Sequence, residues 1–286
     1  MATKISDDNA QTASDFVNKI EFPLSIQQAS NSYKLAFTDQ AFINRPEERG
    51  IRFQLELQKA DLVLRENDIQ HTIVVFGSAR FVSKQTAEAM LASATDPDSK
   101  NLAEHALKNS IYYESAREFG SIVATHNLMQ SNPNTRLHIC TGGGPGIMEA
   151  ANRGAFEAGD FSIGLNISLP REQTPNKYIT PALCFRFHYF ALRKMHFLLR
   201  ARAIVVYPGG FGSFDEIFEV LTLIQTKKMK AIPVILVGSE HWKKIVRFDL
   251  LVEEGLIDQA DLDIISFVDT TKDAWSTIKK WYELIE

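Results

Sequence analysis

The sequence predicts a doubly wound α/β fold, a parallel sheet of about six or seven strands with helices on both faces and an N-terminal helical extension. Three observations carry this expectation. From Thr72 onward, short β-branched or apolar runs alternate with helical stretches of ten or more residues, the rhythm of parallel βαβ units. Several of the runs are apolar on consecutive residues, as strands buried on both faces must be. Three of them end in glycine-rich turns, the places where open parallel sheets bind ligands.

In chain order, the expected strands are Thr72 to Phe76, Leu137 to Cys140, Ser162 to Asn166, Ala203 to Tyr207, Ile232 to Val237 and Ile264 to Val268. Between and after them lie expected helices over Ser110 to Met129, Ile147 to Ala158, His188 to Arg202, Phe214 to Lys227, Trp242 to Glu254 and Lys272 to Ile285. Asp96 to Asn101, DPDSKN, reads as a turn-rich break between two helices. Residues 1–70 are polar to about Asn31 and then helical or mixed around RPEERG. They are too few and too polar for an independent core, so the expected organisation is an extension over 1–70 packed on a catalytic domain over 71–286. The stretch from Phe185 to Arg202, read as one helix, is apolar on more than one face through Phe185, Phe187, Tyr189, Phe190, Leu192, Met195, Phe197, Leu198 and Leu199. Either a second copy of the chain or the N-terminal extension is expected to cover it.

Composition narrows the function. With 286 residues, 45% hydrophobic and 23% charged, the chain has the profile of a globular domain with a sizeable core. Lys plus Arg total 31 against 35 Asp plus Glu, a net charge of -4 without a basic run, which argues against nucleic acid and acidic membrane surfaces as partners. No uncharged apolar stretch reaches the roughly 18 residues of a bilayer span, and the first sixteen residues carry three acids and no apolar run. A cytoplasmic protein is expected, with Cys140 and Cys184 as reduced thiols.

The three turns are Gly77-Ser78-Ala79-Arg80, Thr141-Gly142-Gly143-Gly144-Pro145-Gly146 and Pro208-Gly209-Gly210-Phe211-Gly212-Ser213. Glycines at a strand-to-helix turn admit close approach of a ligand, and the helix N-terminus behind them favours an anion such as phosphate. Tight turns alone would also explain glycine, but several such loops in one sheet favour phosphate or nucleotide. Gly77, Ser78, Gly143 and Gly144 join the candidate binding residues on this ground. There is no GxxxxGK[ST], and no GxGxxG in the first βαβ unit, so P-loop hydrolases and dinucleotide oxidoreductases are disfavoured. Seven scattered histidines without HExxH give no metal site, although His188 and His196 are spaced to share a helix face. Ser78 has no GxSxG elbow.

Asp215 and Glu216 are expected in the first turn of a helix starting at Ser213, whose hydroxyl is placed to cap it. Acids are common there. Both directly above an anion would repel it unless one points elsewhere, which hints at chemistry. Arg193 and Lys194 lie on the preceding helix with Arg200 and Arg202, and the latter two suit an ordinary helix C-terminus.

These residues resemble a known family. PGGFGSFDE, Pro208 to Glu216, resembles the PGGxGTxxE motif of the LOG family, phosphoribohydrolases that release the base from nucleoside 5'-monophosphates and were long labelled possible lysine decarboxylases. GGGPGIMEAANRGA (Gly142 to Ala155), PRE (Pro170 to Glu172) and the pair Arg193-Lys194 match in the same order. The resemblance covers roughly Thr72 to Gly238, and the extension looks like the longer bacterial branch. It implies a Rossmann-like fold, a nucleoside monophosphate substrate, no cofactor, and a homodimer or higher homo-oligomer. Carried over by position, it implies substrate binding by Glu172, Arg193, Lys194, Gly210, Phe211, Gly212, Ser213, Phe214, Asp215, Glu216 and Thr222, with Ser213 in place of the usual Thr.

Cleaving an N-glycosidic bond builds positive charge on the ribose, so a carboxylate is needed near C1', and Glu216 is the candidate. Arg193 either neutralises the substrate and orients Glu216 or assists departure of the base, and the residues leave both open. Glu172 would hold ribose hydroxyls or share in activating water. A purine monophosphate such as AMP is the expected substrate. Decarboxylation is rejected, because no lysine stands in a Ser-x-His-Lys context for pyridoxal phosphate. The competing expectation is a nucleotide or molybdenum-cofactor carrier of the same fold without turnover.

Overall fold

The computed structural model describes residues 25–132, 135–170 and 174–284. They form two compact units, one ending at Arg52 and one running from Phe53. In the first, the short helix α1, Gln40–Ile43, starts at Asp39, whose carboxylate accepts the amide hydrogens of Ala41 and Phe42. The Arg52 guanidinium ties its end by donating to the Ile43 and Arg45 carbonyls at 2.5 and 2.6 Å. Helix α2, Arg49–Glu66, runs into the second unit, where Ala60 and Leu64 are buried together with Ile69.

The second unit is built on β1 Thr72–Phe76, α3 Lys84–Ser93, α4 Pro97–Met129, β2 His138–Thr141, α5 Ile147–Glu157, β3 Ser162–Ile167, β4 Cys184–Phe187, α6 Phe190–Leu199, β5 Ala201–Val206, α7 Phe211–Gln225, β6 Val234–Val237, α8 Ser239–Ile245, α9 Phe248–Glu253, α10 Gln259–Leu262, β7 Ile265–Val268 and α11 Thr271–Trp281. Its seven strands pair in parallel in the order β4-β3-β2-β1-β5-β6-β7. Alternate residues of one strand serve opposite layers. Ile73 and Val75 of β1 join the core beneath α4, α5 and α11, while Val74 and Phe76 join the core beneath α2, α6 and α7. No described helix is long and apolar enough to cross a membrane.

Four local expectations are corrected. The segment Phe185 to Arg202 is not one helix, because Cys184–Phe187 forms edge strand β4, burying Phe185 and Phe187 and exposing Arg186. Part of the excess apolar surface is thus strand core. Helix α6 begins at Phe190, where the Glu56 carboxylate accepts the amide hydrogens of His188 and Tyr189 at 2.8 and 3.2 Å. His188 lies before the helix and shares no helix face with His196.

The helix expected from Ser110 starts at Pro97, with Asp96 accepting the amides of Asp98 and Ser99. Only the first residue of DPDSKN therefore belongs to the break. The helix expected over Trp242 to Glu254 is two, α8 and α9, separated by extended Val246. Trp242 and Phe248 are both buried, and six residues apart on one helix they would face directions about 120° apart; the break lets both pack inward.

Strand order reverses between neighbours β1 and β5, since β1 leads to β2, β3 and β4 on one side and β5 to β6 and β7 on the other. The carboxyl ends of β1 and β5 therefore open a crevice, the usual ligand position in such sheets.

Candidate active site

A cavity of about 1380 Å³ lies at this crevice. Its rim is stitched by backbone bonds that extend the strand pairing into the turns. Tyr207 donates to Phe76, Ser78 to Pro208, both at 2.9 Å, and Ile147 to Ser78 at 3.0 Å. Gly77, Ser78 and Arg80 line the cavity after β1, Gly142 after β2, and Pro208 to Phe214 after β5.

Helix α7 begins at Phe211 with Gly210 as its N-cap, three residues before the expected start at Phe214 and cap at Ser213. Ser213 therefore lies within the first turn, donating its amide to the Gly210 carbonyl at 2.9 Å, and its hydroxyl does not cap the helix. Asp215 and Glu216 fall in the second turn. The amides that open an α-helix have no carbonyl one turn earlier to receive them, so this end presents free donors. A Cβ added at Gly210 or Gly212 would meet no protein atom within 4 Å. Phe211, 96% exposed, stands on the lip between them.

Glu216 is 4% exposed and lines the cavity. Arg193, from α6, approaches it at 4.0 Å, Nη2 to Oε1. The Arg193 guanidinium lies over the rings of Phe190 and Phe197, 5.1 and 5.5 Å from their centroids. Neither Arg193 Nε nor Glu216 Oε2 has a hydrogen-bond partner among the described residues. Burial pushes the Glu216 carboxyl up to about 7 against the opposing pull of Lys194 and then Arg193. Burial likewise lowers the Arg193 guanidinium, with Glu216 and Asp215 acting against it.

Lys194 and Asp215 do not join this group. The Lys194 ammonium lies 2.9 Å from both Asp215 Oδ2 and Glu219 Oε2. Together with Thr222, these residues line a separate depression of about 460 Å³. Thr222 turns its hydroxyl to the Phe218 carbonyl at 2.7 Å. Asp215 is thus the carboxylate that points elsewhere. Glu219 escaped the sequence reading, although it stands one helical turn from Asp215 on the same face.

In the β2 turn, Gly143 and Gly144 are buried and do not line the cavity. Their carbonyls accept from Asn176 Nδ2 at 3.3 and 3.1 Å. Gly143 has φ +75°, and a Cβ there would collide with Asn166. Glu172 lies outside the described residues. Arg200 is engaged elsewhere, donating to the Ile69 carbonyl and Asp61, and Arg202 contacts His71.

The reading also missed Met148, Asn166 and the aromatic pair Phe190 and Phe197, all lining the cavity. The pair was findable, since these rings stand three residues before and four after Arg193 on one helix. Lys108 and Tyr112 of α4 and Glu240, His241 and Lys244 of α8 line the cavity as well. Only the tertiary fold brings them there.

Residues 148–278 match the family model described as possible lysine decarboxylase. A cytokinin riboside 5'-monophosphate phosphoribohydrolase of Arabidopsis thaliana is 25% identical over 179 residues, covering 61% of this chain and 77% of the relative. A pyrimidine/purine nucleotide 5'-monophosphate nucleosidase of Escherichia coli K12 is 26% identical over 161 residues, 52% of this chain and 35% of the relative, so the match spans about a third of that protein's length. Among solved structures, the molybdenum cofactor carrier protein of Chlamydomonas reinhardtii aligns with a TM-score of 0.44 and 20% identity over 76% of this chain and 99% of that one, a likeness that carries no argument about function. The family match takes in the PGGFGSFDE turn and the helix that it opens, and the chain is similar to the phosphoribohydrolase and the nucleosidase named above.

Proposed function

We propose that the chain hydrolyses the N-glycosidic bond of nucleoside 5'-monophosphates, giving free base and ribose 5-phosphate. The observation that carries this reading is a buried carboxylate, Glu216, with one oxygen unpartnered, on the same helix as the open N-terminus at Gly210 and Gly212. A phosphate bound at Gly212 would place the ribose over the next turn, since four residues advance about 6 Å along a helix. Glu216 stands there.

In the proposed reaction the C1'–N bond breaks with its electron pair leaving on the base, and the ribose becomes cationic. The Glu216 carboxylate stabilises that cation and takes a proton from the attacking water as the C1'–O bond forms. The departing base takes up a proton from solvent, and Glu216 then gives up to solvent the proton it took from water, so that one water is consumed in all. Arg193 favours the ionised form of Glu216 against the effect of burial and offers its free Nε to the substrate. Gly77, Ser78, Gly142 and Ser213 line the phosphate end. Lysine decarboxylation finds no support in these residues.

A homodimer is the proposed working unit. After the correction of the Phe185 to Arg202 segment, Phe190, Met195 and Leu199 remain exposed on α6 at 51, 46 and 55%. A scattering mass near the 32.2 kDa of one chain would remove the dimer.

Incubating the protein with AMP and separating the products by chromatography tests the activity. Free adenine with ribose 5-phosphate is expected. Binding of AMP without any product would favour the carrier, and adenosine with free phosphate would indicate a phosphatase.

A further inference from the structure

The family resemblance would put Lys194 on the substrate beside Arg193, but consecutive residues of a helix project about 100° apart. Arg193 lines the cavity, whereas Lys194 lines the outer depression. Its side chain is only 15% exposed, and its ammonium sits between Asp215 and Glu219, one turn apart on α7, at 2.9 Å from each. Glu216 lies between those two in sequence and faces the cavity instead.

We propose that Lys194 is a positioning residue that latches α6 to α7 from outside the cavity and so fixes Arg193 against Glu216, without touching the substrate. This inference rests on the reading of the cavity as a glycosidic-bond-cleaving site.

First, Asp215, Glu216 and Glu219 crowd three carboxylates into five residues of one helix, and like charges one turn apart repel. A single ammonium ion-paired with the outer two, 2.9 Å from each, relieves that repulsion and sets the rotation of α7 about its axis. The same contact sets the rotation of α6, and Arg193 is the next residue along it. Burial alone lowers the Lys194 ammonium, but its pairing with Asp215 and Glu219 outweighs this and keeps it charged.

Second, the latch places a positive charge behind Glu216. The charged groups near that carboxyl are Arg193 and Lys194 on α6 and Asp215 and Glu219 on α7, with Arg80, Lys108, Glu240, His241 and Lys244 lining the wider cavity. Among those that lower its affinity for a proton, Lys194 ranks ahead of Arg193.

The test is Lys194→Met, which keeps the length and removes the charge. Two readouts are taken, kinetics on AMP and the titration of Glu216 followed by carbon NMR of protein labelled at the glutamate carboxyl, assigned with Glu216→Gln. The Glu216 midpoint should move up by about one pH unit, as expected for loss of a cation at an effective dielectric of about 20. At pH 7 the smaller ionised fraction alone lowers kcat about fivefold, while KM stays within roughly twofold. Lys194→Arg should restore the wild-type midpoint.

Asp215→Asn with Glu219→Gln keeps the ammonium and breaks the latch, so kcat should fall while the midpoint moves down. A KM raised about tenfold with an unmoved midpoint would overturn the proposal in favour of substrate contact. Unchanged kcat and midpoint would overturn it by making Lys194 a bystander. If the wild type releases no base from any monophosphate, the functional reading fails, and the Glu216 titration still tests the latch.

Discussion

In the turn after β2, protein atoms occupy the space beside Gly142, Gly143 and Gly146. A Cβ at Gly142 would stand 2.9 Å from Met148 Sδ, and one at Gly143 or Gly146 would overlap Asn166 or the Ser78 carbonyl. In the turn after β5, Gly209 is filled in the same way by Ser213, but Gly210 and Gly212 face open space. Both turns are glycine-rich, with four glycines in the first and three in the second, and both reach the cavity rim. Glycine density therefore reports that a backbone is approached closely, and only the neighbour of the missing Cβ tells whether the approach comes from the protein or from a ligand.

Four changes would sharpen or break this contrast. The largest effect is expected from Glu216→Gln, which keeps the shape of the side chain beside the open turn and removes its charge. Base release should fall at least about 100-fold, with the affinity for AMP measured by calorimetry within a few-fold of wild type. A variant keeping a tenth or more of wild-type turnover would take Glu216 out of the reaction.

Next come two alanine substitutions with opposite signatures. Gly212→Ala lies inside α7, where alanine is the better helix former by about 1 kcal/mol, so the fold should hold or gain. Its methyl group occupies the proposed phosphate position, and kcat/KM for AMP should drop about tenfold or more. Gly146→Ala demands φ near +73° from a residue with a Cβ and collides with Ser78, so thermal stability should fall by about 2 kcal/mol or more. Loss of stability in the first variant, or its preservation in the second, would break the comparison.

Smaller effects follow from the proton on Glu216. With a midpoint near 7, kcat should rise with pH through neutrality and fall about tenfold per unit well below it. Stability moves the other way. The folded state holds this proton more tightly than the unfolded chain, so the contribution of Glu216 to stability is present at acid pH and is lost as pH rises from about 4.5 to about 7. The melting-temperature difference between Glu216→Gln and wild type should therefore become more positive between pH 5 and pH 8. A difference that shrinks over that range would contradict the burial account.

Much of the fold was legible because buried parallel strands such as Thr72–Phe76 are unbroken apolar runs, and because glycine marks where they end. Strand β4 was not, since its four residues alternate in burial as an edge strand does, and Phe185 and Phe187 run on into the apolar spacing of α6. The start of α7 was placed too late because Phe211-Gly212 reads as loop until Gly210 is seen to cap it. In the site, Arg193 and Glu216 could be named from residue type and motif, but their separation from Lys194, Asp215 and Thr222 depends on how two helices are rotated against each other. The part of the lining formed by Lys108, Tyr112, His241 and Lys244 is assembled from segments more than 100 residues apart and leaves no local signal.

A side-by-side assay of AMP and adenosine with the wild-type protein tests most directly whether the open turn holds a phosphate. If the open amides at Gly210 and Gly212 hold a phosphate and thereby set the ribose over Glu216, adenine should be released from AMP and hardly at all from adenosine. Equal rates of adenine release from the two would contradict it.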